Sequence, residues 1–279
     1  MKKRFAVIGH PLGHTMSPFI HERMFQLSGI VGTYEAIATP PDRLSETVEM
    51  LKSYDGFNIT IPHKQTIIPL LDELGESAEI YRAVNTVANQ NGRLIGHSTD
   101  ADGFTAALAL EDIPLCGHVL ICGAGGVSRT IATECIRAGC QITFAVQESD
   151  LPTAEALCRE LIDRFSAPVS CKPLSSVSEA YDLAVNGTPV GMYPHTDAAI
   201  LTEAQLANIP YLFDAVYNPE NTRLVTLARS VGAKAISGMG MLVMQAAKAQ
   251  EHWYGARFEK EDMRRLVADA NAEMRRLFQ

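Results

Sequence analysis

The chain has 279 residues, of which 47% are hydrophobic and 20% charged, and its 24 Lys and Arg against 32 Asp and Glu leave a net charge of −8. That length buries a real core, and that apolar content excludes a chain disordered throughout. An acidic balance without a basic cluster argues against nucleic acid as the main partner, and no apolar run approaches the roughly 18 residues that span a bilayer.

The N-terminal segment breaks at Gly9 before any signal-peptide core, so a soluble, cytoplasmic protein acting on a small molecule is expected, in one or two domains. Apolar runs at residues 4–8, 33–37 and 56–60 read as strands. Leu44, Val48 and Leu51 recur at helical spacing between the last two, with Thr39-Pro40 as the start of that helix. Residues 84–88 and 93–95 flank Asn89-Gln90-Asn91-Gly92, where Asn-Gly tolerates positive φ, so this pair is predicted to be an antiparallel hairpin. A second series follows, with strands at 118–122, 141–146, 182–186, 211–216 and 234–236 and helices between them. The last forty residues carry no strand signal: 241–253 reads as one helix, and Met263, Val267, Ala270, Met274 and Leu277 mark another.

Two helices with apolar stripes must pack on something. They are predicted to return to the N-terminal domain, giving one discontinuous α/β domain, residues 1–101 with 238–279, and a Rossmann-type dinucleotide-binding domain, residues 102–237. The active site is expected in the cleft between them. Cys116, Cys122, Cys135, Cys140, Cys158 and Cys171 form no CxxC pair and read as reduced thiols. His10, His14 and His21 share no periodic face and lack the companions of a metal site, so no metal is expected.

Gly123-Ala124-Gly125-Gly126-Val127 lies directly between a strand and a helix, where glycines let backbone approach a pyrophosphate and the helix N-terminus favours its charge. An ordinary strand–turn–helix also tolerates glycine there. The next strand ends in Val146-Gln147-Glu148, and Glu148, 22 residues after Gly126, is placed to accept from a ribose 2′-hydroxyl and to repel a 2′-phosphate. Glu148, Asp150 and Glu155 equally suit an acidic helix start, and both readings can hold. Thr15 and Ser17, just before Pro18, either bind a carboxylate or cap a helix. Asn58, Thr60 and Lys64 follow one strand, Asn85-Thr86 another and Asp100 a third, and a lysine beside a carboxylate reads as an acid/base pair or as a surface ion pair.

Taken together these blocks resemble the shikimate dehydrogenase family, over nearly the whole chain from Phe5 to Trp253. The family's Ser-x-Ser-Pro is Thr15-Met16-Ser17-Pro18, its N-x-T-x-P-x-K is Asn58 through Lys64, its A-V-N-T is Ala83 to Thr86, and its T-D is Thr99-Asp100. Its two nicotinamide loops match Asn186 to Met192 and Asp214 to Pro219, and its closing helix matches Gly238 to Ala247.

The resemblance implies reversible hydride transfer between a nicotinamide nucleotide and shikimate or a similar cyclic hydroxy acid. Thr15, Ser17 and Tyr217 would hold the carboxylate, and Thr60, Asn85, Asp100 and Gln245 the ring hydroxyls. Lys64 would move the proton, oriented by Asp100. The glycine turn, Gln147, Glu148, Asn186, Ala215 and Gly238 would meet the cofactor. Where NADP-using members carry Asn-Arg-Thr, this chain has Val146-Gln147-Glu148, so NAD is the expected cofactor and NADP the second candidate. Thr15 and Ser98 also depart from the pattern, which keeps quinate as an alternative substrate. A homodimer is compatible with the family. A non-catalytic NAD or metabolite sensor on the same scaffold is the reading from another class, and retention of both Lys64 and Asp100 argues against it.

Overall fold

A computed structural model describes residues 2–13 and 15–278, and the chain divides into two compact units, Met1–Gly103 with Leu242–Gln279, and Phe104–Met241. His14 of the histidine set above lies outside the described residues.

The first unit contains β1 (Lys3–Gly9), α1 (Ser17–Ser28), β2 (Gly32–Ala38), α2 (Leu44–Leu51), β3 (Gly56–Ile59), β4 (Glu73–Leu74), α3 (Glu76–Tyr81), β5 (Thr86–Gln90) and β6 (Arg93–His97), and α4 (Asp100–Leu110) then leads the chain out of it. Its sheet runs β2-β1-β3-β5-β6-β4, with β2, β1 and β3 parallel and β5 antiparallel to both neighbours. The period of two divides its faces. Ala6, Ile8, Phe57, Ile59, Val87 and Leu94 share a core with Leu44, Val48 and Leu51 of α2, while Phe5, Val7 and Tyr34 pack with Phe25 of α1. The predicted hairpin is tighter than a four-residue loop. The ladder continues to Gln90 opposite Arg93, because Asn91 and Gly92 adopt φ of 56° and 89° and close a two-residue turn. Thr39-Pro40 does not start α2. Pro40 stays extended, Pro41 opens a 3₁₀ turn, and the α-helix begins at Leu44.

The second unit contains β7 (His118–Cys122), α5 (Gly126–Arg137), β8 (Gln141–Val146), α6 (Leu151–Phe165), β9 (Val169–Pro173), β10 (Leu183–Asn186), α7 (Glu203–Leu206), β11 (Tyr211–Asp214), α8 (Arg223–Ser230) and β12 (Lys234–Ser237). All six strands are parallel in the order β12-β11-β10-β7-β8-β9, the doubly wound arrangement with its switch point between β7 and β10. The sequence pattern misses β9, whose Val-Ser-Cys-Lys-Pro offers no buried run. It also overextends β11 to residue 216. The strand stops at Asp214 because the Asp214 carboxylate accepts the Val216 N–H at 3.0 Å and turns the chain.

Helices α9 (Met239–Tyr254) and α10 (Lys260–Phe278) complete the chain, and from Leu242 onward they belong to the first unit. Trp253 of α9 stacks on Phe5 with centroids 4.4 Å apart and donates its indole N–H to Val87 O at 2.9 Å. Gly56 makes room for it, since any Cβ there would collide with the indole. On α10 the buried stripe is Met263, Leu266, Ala270 and Met274, while Leu277 is exposed, so the apolar face ends one turn earlier than its spacing suggests. Among the described residues no helix is long and apolar enough to cross a membrane.

Candidate active site

The C-terminal ends of β1, β3 and β6 and the start of β5 lie at one edge of the first sheet, and the candidate residues sit in the segments leaving that edge. Lys64 is held by its backbone. His63, buried beside it, donates from Nε2 to Thr39 O at 2.6 Å, and Lys64 O accepts the Val84 N–H at 2.7 Å. Its side chain reaches Asp100, the first residue of α4, with Nζ 2.7 Å from Oδ2. The two side chains are only 29% and 12% exposed, so the pair is not a solvated surface bridge, and its attraction is screened less than such a bridge would be. The other carboxylate oxygen accepts from Asn85 Nδ2 at 3.0 Å. The Asn85 amide is itself fixed, because its Oδ1 accepts the Thr99 backbone N–H at 2.8 Å.

The other expected residues of the first unit have these local settings. Thr60 follows β3, half-buried, with its N–H on Ile8 O at 2.9 Å. Thr15 Oγ1 accepts the N–H of Ser17, the first residue of α1, at 3.3 Å, whereas the N-cap position is Met16 and has no side-chain cap. Ser17 itself is half-buried at the start of α1. Gln245 lies half-buried on α9. Tyr217 belongs to the second unit, where burial raises its phenol pKa. Sequence reasoning gave no role to His63, a spacer inside its motif, to Thr99, quoted only as part of the T-D pair, or to Tyr34, one aromatic among strand residues.

In the second unit the glycine turn fits a dinucleotide. Gly123 has φ of 93°, and a Cβ on Gly125 or Gly126 would meet nothing within 4 Å, so the turn leaves open space beside its backbone. Helix α5 begins there without a side-chain cap. The neighbouring strand ends are bound together. Asp214, fully buried, accepts from Asn186 Nδ2 at 2.9 Å and from Thr222 Oγ1 at 2.6 Å, and desolvation raises its pKa to about 6. Asn186 Oδ1 in turn accepts the Thr188 N–H, Ala215 N–H donates to Asn186 O at 2.9 Å, and Gly238 N–H donates to Val216 O at 3.0 Å. Gln147 and Glu148 are exposed beyond β8, and Arg129, the nearest cation in sequence to the turn, is paired with Glu160. Among the described residues no group of His, Cys, Asp and Glu could hold a metal ion.

A doubly wound parallel sheet with a glycine turn, joined in one chain to an α/β unit bearing a lysine–carboxylate pair, defines a two-domain oxidoreductase of the dinucleotide-binding class. Residues 7–87 match the family model described as the shikimate dehydrogenase substrate binding domain. The chain is 36% identical over 272 residues to the shikimate dehydrogenase (NADP(+)) of Shouchella clausii, covering 96% of this chain and 98% of that one. The crystal structure of shikimate 5-dehydrogenase from Thermus thermophilus with NADP(H) and shikimate superposes with a TM-score of 0.85 at 33% identity, over 96% and 99% of the two chains. That of the Listeria monocytogenes enzyme with shikimate and NAD gives 0.85 at 28%, over 95% and 96%. The chain belongs to the shikimate dehydrogenase family.

Proposed function

We propose that this protein is a shikimate dehydrogenase, interconverting shikimate and 3-dehydroshikimate, and the observation that carries the reading is the Lys64–Asp100–Asn85 constellation at the sheet edge. The nicotinamide supplies the hydride acceptor or donor. Lys64 takes the hydroxyl proton as hydride leaves the same carbon, and in the reverse direction its ammonium protonates the oxygen that develops negative charge. Asp100 holds Nζ in place and, with Thr60, Asn85 and Gln245, binds ring hydroxyls. Thr15 and Ser17 supply neutral donors to the carboxylate. Six free thiols suit a reducing, cytoplasmic setting.

For the cofactor we infer a preference for NAD. The relatives are named for NADP(+), but the choice is made locally, by what faces the adenosine ribose. Here Gln147 and Glu148 stand at the end of β8, no Arg or Lys occurs between Arg137 and Arg159, and Arg129 is occupied by Glu160. A phosphate dianion facing a carboxylate has nothing to offset its lost hydration.

Initial rates of reduced-nucleotide formation, with shikimate and quinate each against NAD and NADP, test both statements. Turnover of shikimate with NAD at the higher kcat/KM is expected; quinate as the better substrate would change the substrate assignment, and no turnover with either would point to a sensor. Gln147→Arg/Glu148→Thr is expected to move the NADP-to-NAD ratio of kcat/KM by roughly ten- to a hundredfold, the worth of one charge-assisted hydrogen bond. An unchanged ratio would remove this strand end from cofactor choice.

A further inference from the structure

Behind Asp100 a row of buried and half-buried polar groups crosses the first sheet on one face. Tyr34 on β2 pairs with Phe5 and Asn58 on β3 with Val7, so the two reach each other across β1 from positions two residues apart in register, and Asn58 lies directly opposite Thr86 on β5. Tyr34 is 5% exposed and Thr86 fully buried. Tyr34 OH is 2.7 Å from Asn58 Oδ1, Asn58 Nδ2 is 2.9 Å from Thr86 Oγ1, Thr86 Oγ1 is 3.1 Å from Asn85 Oδ1, and Asn85 Nδ2 is 3.0 Å from Asp100 Oδ1.

The direction of every bond in the row follows from groups that can act in only one sense. Asn58 Nδ2 also lies 3.1 Å from Asn85 O, and a carbonyl only accepts, so the NH₂ of Asn58 is on that side and its Oδ1 must face Tyr34. Tyr34 therefore donates to Asn58. The Thr99 backbone N–H only donates, so Asn85 Oδ1 faces Thr99 and its NH₂ faces Asp100. The Thr86 hydroxyl takes from Asn58 and gives to Asn85 Oδ1, its nearer acceptor at 3.1 Å against 3.5 Å to Thr99 Oγ1, whose own proton goes to Asn85 Oδ1 as well. The row is a one-way series of donors ending on a carboxylate whose second oxygen holds Lys64.

We propose that Tyr34 and Thr86 are positioning residues for the proton transfer: with Asn58 and Asn85 they form a one-way donor chain that terminates on Asp100 and keeps it oriented as the acceptor of Lys64. Each bond polarises the next, so the chain strengthens the last contact by more than its members would separately. The chain begins at the Tyr34 hydroxyl and ends at the pair assigned to the proton. This rests on the shikimate dehydrogenase reading above.

The test is a double-mutant cycle on kcat at saturating shikimate and cofactor, with urea midpoints recorded for every variant. Thr86→Val, which keeps the shape and removes the hydroxyl, is expected to lower kcat by about three- to tenfold, the worth of one hydrogen bond, while Thr86→Ser stays near wild type. Tyr34→Phe is expected to lower kcat a few-fold, and Tyr34→Phe/Thr86→Val to be no slower than Thr86→Val alone, because the chain is already cut. Equal rates for Thr86→Val and Thr86→Ser, or losses that multiply in the double variant, would overturn the chain while leaving the activity assignment standing. The Ser and Val variants keep that decision available should Tyr34→Phe fail to fold. A wild type that does not turn over shikimate would instead remove the parent reading, and the positioning role with it.

Discussion

Lys64→Ala is expected to lower kcat for shikimate oxidation by roughly 10²- to 10⁴-fold, the usual contribution of a positioned general acid or base. Cofactor affinity, read by fluorescence titration of the reduced nucleotide, should be nearly unchanged, because the glycine turn, Asn186 and Ala215 belong to a different unit from Lys64. The substitution also strands Asp100 without its cation, so melting curves must accompany the kinetics. Asp100→Asn should be comparably damaging. It leaves Lys64 with no anion at 2.7 Å and one acceptor oxygen where Lys64 Nζ and Asn85 Nδ2 need two, so an NH₂ must face one of these donors. A Lys64→Ala protein turning over within a few-fold of wild type would take Lys64 out of the mechanism.

The second large effect expected is on acid stability. His21 on α1 is 2% exposed, stacked on Tyr34 with centroids 4.2 Å apart, and its Nδ1 accepts from Gln250 Nε2 at 3.0 Å. Desolvation lowers its pKa to about 3. His252, stacked on His97, is lowered to about 4, by burial first and then by His97 and Lys248. An unfolded histidine titrates near 6.5, so between that pH and the folded value the unfolded chain binds a proton that the folded chain does not. The stability these groups contribute is complete above about pH 6.5 and is lost as pH falls. For His21 alone the loss by pH 4 is about 3 kcal/mol at 1.36 kcal/mol per pH unit. Asp214 works the other way: its raised pKa means that its contribution is present below the unfolded value near 4 and lost as pH rises through about 6. The informative quantity is therefore a difference between proteins. His21→Phe keeps an aromatic ring against Tyr34 and cannot titrate, so its unfolding free energy between pH 7 and 4 should fall by about 3 kcal/mol less than that of wild type. Parallel curves from urea denaturation across this range would refute the assignment.

Much of the architecture is legible from periodicity because buried strands and amphipathic helices repeat on fixed spacings. Residues 4–8, 118–122 and 141–146 fall within strands β1, β7 and β8 for that reason, and Asn91-Gly92 announces its turn because few other pairs accept two positive φ values. Short or polar elements are not legible. β9 and the two-residue β4 exist because a neighbouring strand offers them an edge, and the end of β11 is set by one carboxylate folding back on its own backbone.

The candidate site divides in the same way. By itself the sequence determines which chemical groups are present: the hydroxyls of Thr15, Ser17 and Thr60, the lysine, the carboxylate, the glycine turn and an acidic strand end without a guanidinium. Only the tertiary structure decides their pairing. Lys64 meets Asp100 across 36 residues, Tyr34 meets Asn58 across 24, and Gln250 meets His21 across 229. These contacts depend on strand order, on register and on the return of α9 to the first sheet. A hydrogen bond acts over about 3 Å and is blind to separation along the chain, whereas the patterns readable in a sequence are local and repeat within a few residues.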